Sequence, residues 1–183
     1  MKFKITLNIN REHGNLLTFN YQYEQSAVIY RILAQADTQY ASWLHENGYL
    51  LNGSKRFKLF CYSPFIFERV RPLPKEGCLN ITGERATWYI SFIPEKSTME
   101  FIQGIFAHQS FTIGNKEHHV AFDVVGVEAM PTPQLSEDMK LQALSPICVK
   151  LHEGTRTQYL SPDNPMFAEG ILNGLLARYE SIH

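Results

Sequence analysis

Residues 2–10 alternate without a break, with Phe3, Ile5, Leu7 and Ile9 on one face and Lys2, Lys4, Thr6 and Asn8 on the other. That is the period of a half-buried strand. In "EQSAVIYRILAQAD" the apolar residues Val28, Ile29, Ile32, Leu33 and Ala36 recur at helical spacing, with Ser26 as the expected N-terminal cap. Asp37 or Thr38 can cap a second, shorter helix through "QYASWLHEN", and Gly48 supplies the left-handed residue that ends it. His45 then sits in the last turn. "RFKLFCYSPFIF", "CLNITGE" and "ATWYISFIP" are rich in aromatic and β-branched residues and broken by Pro and Gly, which predicts strands with a hairpin near Gly83. Lys96 to His108 carries Met99, Phe101, Ile102, Ile105 and Phe106 at amphipathic spacing, and "SFTIGNKEHHVAFDVVGVEA" reads as a hairpin turning at Gly114-Asn115.

The resulting order, β, α, β, β, α, β, predicts an α+β chain whose residues 1–132 form a ferredoxin-like domain, an antiparallel sheet with helices on one face. After Pro131 and Pro133 the composition turns polar, as in a linker. Then "LQALSPICVKL" reads as a strand and "SPDNPMFAEGILNGLLARYESI" as a capped helix. Residues 133–183 are thus expected to hold the first strand and helix of a second, incomplete ferredoxin-like domain. The apolar side of that helix, Phe167, Ile171, Leu172, Leu175 and Leu176, needs cover from another surface, such as a second copy of the chain.

Composition narrows the function classes. With 183 residues and 44% hydrophobic content the chain can build a packed core. No run of 18 apolar residues is present, and the alternating "MKFKITLNIN" is unlike a signal peptide, so no membrane partner and a cytoplasmic location are expected. Cys61, Cys78 and Cys148 are odd in number and widely spaced, the pattern of buried thiols and not of a disulfide framework or zinc site. Net charge is only −1, yet between Lys55 and Lys75 six basic residues (Lys55, Arg56, Lys58, Arg69, Arg71, Lys75) face one acid, Glu68, a local formal charge of +5. Exposed strand edges often carry such lysines and arginines; a polyanion partner is the sharper reading.

The close histidine pair, His118-His119, occupies adjacent strand positions and so points to opposite faces, which speaks against a metal site. The Gly-rich phosphate loops and the G-x-S-x-G elbow are absent, so no cofactor is expected. What remains is His45, Tyr30 and the basic stretch. A histidine at a helix C-terminus meets the negative end of the macrodipole and suits proton transfer near neutral pH, although a simple cap would look the same. Tyr30 lies about 200° around its helix from Val28, off the main apolar stripe. Lys58 alternates with Phe57 and Leu59, so its ammonium is expected to point away from the core. Imidazole, phenol and ammonium are what metal-free phosphodiester cleavage by an RNA 2′-hydroxyl requires, though many chains of this length hold such a set.

"SAVIYRILAQADTQYASWLHENGY", "FKLFCYSPF", "LSPICVKL" and "YLSPDNPMFAEGILNGLLARY" resemble, in order and spacing, the sixth Cas family of the RAMP superfamily. These are CRISPR-associated endoribonucleases that cut precursor CRISPR RNA within each repeat. The resemblance implies tandem ferredoxin-like domains, an RNA cleft between them, and metal-independent cleavage leaving a 2′,3′-cyclic phosphate and a 5′-hydroxyl. It matches His45, the tyrosine of "IYR" (Tyr30) and the lysine of "KLF" (Lys58) to the family's catalytic group, with Lys55 the alternative lysine. Lys55, Arg56, Arg69 and Arg71 are the expected phosphate contacts. The implied partners are precursor CRISPR RNA repeats and other CRISPR effector subunits; a catalytically inactive repeat-binding protein is the alternative function. Members finish with a Gly-rich loop and strand, and the sequence stops at "YESIH" before one, so an incomplete second domain is the expectation.

Overall fold

The computed structural model describes all residues except Ser54, Leu135, Leu144, Gly154 and Thr155. Strand β1 (Lys2–Asn10) lies at the centre of a six-stranded antiparallel sheet, and Phe3, Ile5, Leu7 and Ile9 are its buried face. A short strand β2 (Leu16–Thr18) leads into helix α1 (Gln22–Ala36) and then α2 (Thr38–Glu46). The chain continues through β3 (Tyr49–Leu51), β4 (Lys55–Phe57), β5 (Phe60–Tyr62), β6 (Ile66–Phe67), β7 (Val70–Leu73), β8 (Cys78–Ile81) and β9 (Arg85–Phe92). Helix α3 (Glu95–Ala107) and the hairpin β10 (Ser110–Gly114) and β11 (His119–Met130) complete the first unit.

The main sheet runs β10-β11-β1-β9-β5, with β6 also paired to β9. Both neighbours of β1 are therefore strands distant in sequence, β9 and β11, with the α1–α2 pair and α3 making the connections. This is the ferredoxin-like βαββαβ arrangement expected from the sequence. Its core is aromatic. Trp88, opposite Ile5 in the sheet register, is fully buried with Phe92, Phe101 and Phe122. Val28, Ile29, Ile32 and Leu33 of α1 close the core from the helix layer, each buried side chain contributing roughly 1.5–3 kcal/mol. Helices α1 and α3 touch backbone to backbone at Gly104, where a Cβ would lie 1.8 Å from the Ile32 carbonyl oxygen.

Several expectations are corrected. Helix α1 starts one turn before Ser26, because the Gln25 amide already donates to the Tyr21 carbonyl (2.8 Å) while the Gln25 side chain is buried against the Ser63 carbonyl. The hairpin expected at Gly83 is absent: β8 pairs with β2 and β7, and its hairpin turn falls at residues 74–77. Gly83 instead carries the chain from that side sheet into the main one, its amide and that of Thr82 both donating to the Arg69 carbonyl. A Thr-Gly turn signal does not distinguish the two connections. His118 lies in the β10–β11 turn, where its amide donates to Asn115, and only His119 is in the strand. Of the cysteines, only Cys78 is buried.

The second unit also differs. The strand expected across residues 141–151 begins only at Val149, and its residue Leu144 lies outside the described residues. Strand β12 (Val149–Glu153) pairs with β13 (Arg156–Leu160), so this unit is a hairpin and a helix, α4 (Met166–Glu180), instead of one strand and a helix. Strand β13 escaped detection because its residues are exposed up to Leu160, and an exposed strand needs no apolar alternation. Phe167 and Ile171 of α4 are half-buried, whereas Leu172, Leu175, Leu176 and Tyr179 are each about half exposed or more. No helix among the described residues is long and apolar enough to cross a membrane.

Candidate nucleic-acid interface

One residue orients the first two helices. The Asp37 backbone amide donates to the Leu33 carbonyl, ending α1, while its carboxylate accepts from the Tyr40 amide (2.8 Å), starting α2. The capping hydrogen bond and the Lys96 ammonium 3.0 Å away both hold the Asp37 carboxyl below its ordinary value. This tight corner brings Tyr30 of α1 against His45 of α2, ring centroids 4.9 Å apart and planes at 85°. Phe60 meets the Tyr30 ring from β5 (5.8 Å, 75°). Burial, and then the neighbouring Tyr62, raise the Tyr30 phenol above its ordinary value, so it is a proton-bearing donor throughout the neutral range.

Helix α2 ends as the sequence predicts, at Gly48 with φ +66°. A Cβ there would lie 2.6 Å from the Phe57 carbonyl oxygen, so glycine also permits the close approach of the following strand. That approach changes the reading of Lys58. Lys58 and Leu59 fall between β4 and β5 and not within a strand, because Leu59 adopts φ +54°, a left-handed conformation costing about 1 kcal/mol or more. The Lys58 ammonium consequently turns to the end of α2 and donates to the Leu44 and His45 carbonyls. The Arg56 guanidinium donates to the next carbonyl, Glu46 (3.0 Å). Two cations therefore cap one helix terminus, at the negative end of its dipole. Burial and then the Arg56 charge lower the Lys58 ammonium from its ordinary value. Two of its three N–H bonds are used in these contacts, leaving one for an anion.

Beside this helix end lies a cleft of about 520 Å³, walled by residues 56–61 and, from the second unit, by Leu175 and Arg178. Among the described residues its charged lining is Arg56, Lys58 and Arg178, with no acid. The Arg178 guanidinium sits 5.2 Å over the Phe57 ring and donates to the Gly174 carbonyl (2.6 Å). Sequence reasoning missed Arg178; a lone arginine in the last turn of an apolar helix carries no mark of the strand it will cross. The His45 imidazole, exposed at its helix end, meets the Tyr30 ring, while Lys58 and Arg56 reach the backbone carbonyls of the same helix end; Arg56 and Lys58 line the cleft and His45 and Tyr30 do not. Lys55 is exposed on β4 and makes no contact to the α2 end among the described residues, whereas Lys58 does. Arg69 precedes β7 and Arg71 lies within it, in the side sheet, and neither lines this cleft.

A ferredoxin-like domain joined to a second α+β unit is a fold shared with solved structures. The structure superimposes over its full length on "An RAMP protein binding different RNA substrates" (TM-score 0.77, 22% identity, 71% of that chain). It likewise matches a chain from "Characterization of a Cas6-related gene from Pyrococcus furiosus" (TM-score 0.74, 23% identity, 70% of that chain) and a "CRISPR associated protein Cas6" (0.69, 26%, 71%). Residues 16–123 match the family described as CRISPR-associated protein Cas6, N-terminal, and residues 130–183 the one described as CRISPR associated protein Cas6, C-terminal. The chain belongs to the Cas6 family. It is 28% identical over 98% of its length to the CRISPR-associated endoribonuclease Cas6 1 of Methanocaldococcus jannaschii, and spans 66% of that relative's length.

Proposed function

We propose that this chain is a metal-independent endoribonuclease that cleaves precursor CRISPR RNA within the repeat, with His45, Tyr30 and Lys58 as its catalytic group. The observation carrying this reading is the packing of the protonated Tyr30 phenol ring against the exposed His45 imidazole, at the helix end whose carbonyls the Lys58 ammonium caps, with Lys58 itself lining a cleft whose other described charges are Arg56 and Arg178. In the step that follows, the 2′-oxygen of the nucleotide at the cut attacks its own phosphorus and the P–O5′ bond breaks. His45 moves the proton between the 2′-hydroxyl and the departing 5′-oxygen, Tyr30 donates a hydrogen bond to the reacting group, and the remaining Lys58 N–H meets the charge that builds on the phosphoryl oxygens. The products are a 2′,3′-cyclic phosphate and a 5′-hydroxyl. Arg56 and, from the second unit, Arg178 hold the RNA backbone at the cleft, and Lys55, Arg69 and Arg71 meet it outside the cleft.

The test is incubation of repeat RNA with the chain in excess chelator. Expected is a single cut with a cyclic-phosphate end, blocked when the 2′-hydroxyl at that position is replaced by hydrogen. Intact RNA after long incubation, bound with salt-dependent affinity, would instead support binding without cleavage. One observation favours that second reading: the Lys58 ammonium is already engaged by two helix carbonyls. The exposed α4 residues Leu172, Leu176 and Tyr179, which do not line the cleft, support a further proposal, that a second copy of the chain covers them. Sedimentation across a concentration series reads that association directly, and a strictly monomeric chain counts against it.

A further inference from the structure

On the other side of Arg56 from the cleft lies a second hollow, about 410 Å³, walled by Trp43, Tyr49, Asn47, Leu50 and Gly48. Arg56 lines both spaces, so a strand leaving the cleft past its guanidinium would arrive at this hollow next. The aromatic wall is braced. Trp43 stacks on Tyr40 (5.7 Å, 24°) and meets Tyr49 at a right angle (5.2 Å, 88°). The Tyr40 hydroxyl bonds the Ser97 hydroxyl and, at 3.2 Å, that of Tyr49, and the Lys96 ammonium lies 5.0 Å over the Tyr40 ring. Behind the exposed indole there is thus a fixed framework reaching across to α3, not a freely rotating side chain.

An indole of which 39% is exposed, held rigid beside an arginine and an asparagine amide, has the chemistry that receives an unstacked base. The ring offers a π surface, Asn47 a donor and acceptor for a base edge, and Arg56 a charge for the adjoining phosphate. We infer that Trp43, with Tyr49 and Asn47, forms a base-stacking subsite for a single nucleotide of the strand that passes Arg56 from the cleft. This inference rests on the RNA-processing reading above. Stacking supplies affinity and position along the strand, so the subsite contributes to where the RNA is cut.

The chain contains two tryptophans, and the other, Trp88, is fully buried. Emission that responds to RNA therefore comes from Trp43. Titration with single-stranded RNA carrying the repeat of the chain's own CRISPR array is expected to quench that emission, and Trp43→Phe to abolish the response while keeping affinity within a few-fold. Trp43→Ala is expected to weaken binding by roughly tenfold or more, the effect of one stacked base. Scanning the RNA with single abasic nucleotides gives a readout that folding of the variant does not move. One position should weaken binding to the wild-type chain and have no further effect on Trp43→Ala. Salt-dependent RNA binding without quenching, with every abasic position affecting wild type and variant alike, overturns the subsite and leaves the RNA reading standing. No RNA binding by the wild-type chain at low salt overturns both.

Discussion

The Tyr30 ring stands edge-on to the His45 imidazole, 4.9 Å between centroids, although fifteen residues and a helix corner separate them in the chain. The contact has a testable asymmetry. His45→Ala removes the proton-transfer group and is expected to slow cleavage by about 10²–10⁴-fold. Tyr30→Phe keeps the edge contact and loses only the hydroxyl, so a smaller loss is expected. Single-turnover cleavage rates read both, and unchanged cleavage in His45→Ala would remove that residue from the mechanism.

Lys58 serves the fold as well as the site. Lys58→Met leaves the Leu44 and His45 carbonyls without their donor, so stability should fall by about 1 kcal/mol or more in denaturant titration. Cleavage should fall further than that loss explains when rates are compared well below the unfolding midpoint. A Lys58→Met chain as active as wild type would confine the residue to helix capping.

Arg178 reaches the cleft from the second unit, over Phe57. Arg178→Ala is expected to weaken binding of different RNA sequences to a similar extent and to reduce the slope of log affinity against log salt by about one. A slope equal to that of wild type would show that this guanidinium does not meet a phosphate.

Gly104→Ala tests the helix layer. Its Cβ would have to displace the Ile32 backbone, and overpacking of this kind costs about 1–3 kcal/mol. Thermal or denaturant unfolding measures the loss, and a neutral substitution would show that α1 and α3 separate easily.

The Asp37 carboxyl gives the fold an acid limb. Its folded value lies below the ordinary 3.8, so the stabilisation it provides is fully present above 3.8 and is lost as pH falls through the folded value. Lys96 is the matching case: its hydrogen bond to Asp37 raises it above its ordinary 10.5, so its contribution is present below 10.5 and fades as pH rises through the folded value. Asp37→Asn retains a cap but no charge, and its stability advantage or deficit against wild type should change beneath about pH 4 and again, through Lys96, above 10.5. Parallel stability curves for the two chains down to pH 2 would exclude the carboxylate as the source.

The first unit was legible where burial forces a period. β1, α1, α3 and the β10–β11 hairpin follow from alternation and helical spacing, and His45 at the end of α2 follows from Asp37 and Gly48. Lys58 was misdirected because strand alternation assumes an unbroken strand, and the left-handed Leu59 cannot be read from a leucine. Strand β13 and Arg178 were invisible for related reasons. An exposed strand pairs through its backbone, which any side chains permit, and the meeting of Arg178 with Phe57 is settled by how two units dock. Arg69 and Arg71 look continuous with Lys55 and Arg56 in the sequence, but β6 and the entry into the side sheet separate them.

Asp37 has a further consequence for how this site tolerates change. Because it is at once the C-cap of one helix and the N-cap of the next, Asp37 is the single residue between them, and it leaves no slack to absorb an insertion or deletion. Adding a single residue at this corner would separate the cap of α1 from the cap of α2 and change the direction in which α2 leaves it. His45 would leave Tyr30, and the Leu44 and His45 carbonyls would leave Lys58 in the same motion. Substitutions across the helix surfaces can be accommodated one at a time, whereas a change of length here dismantles every contact of the site together. The chain length between Tyr30 and His45 is therefore as much a part of the chemistry as the two side chains.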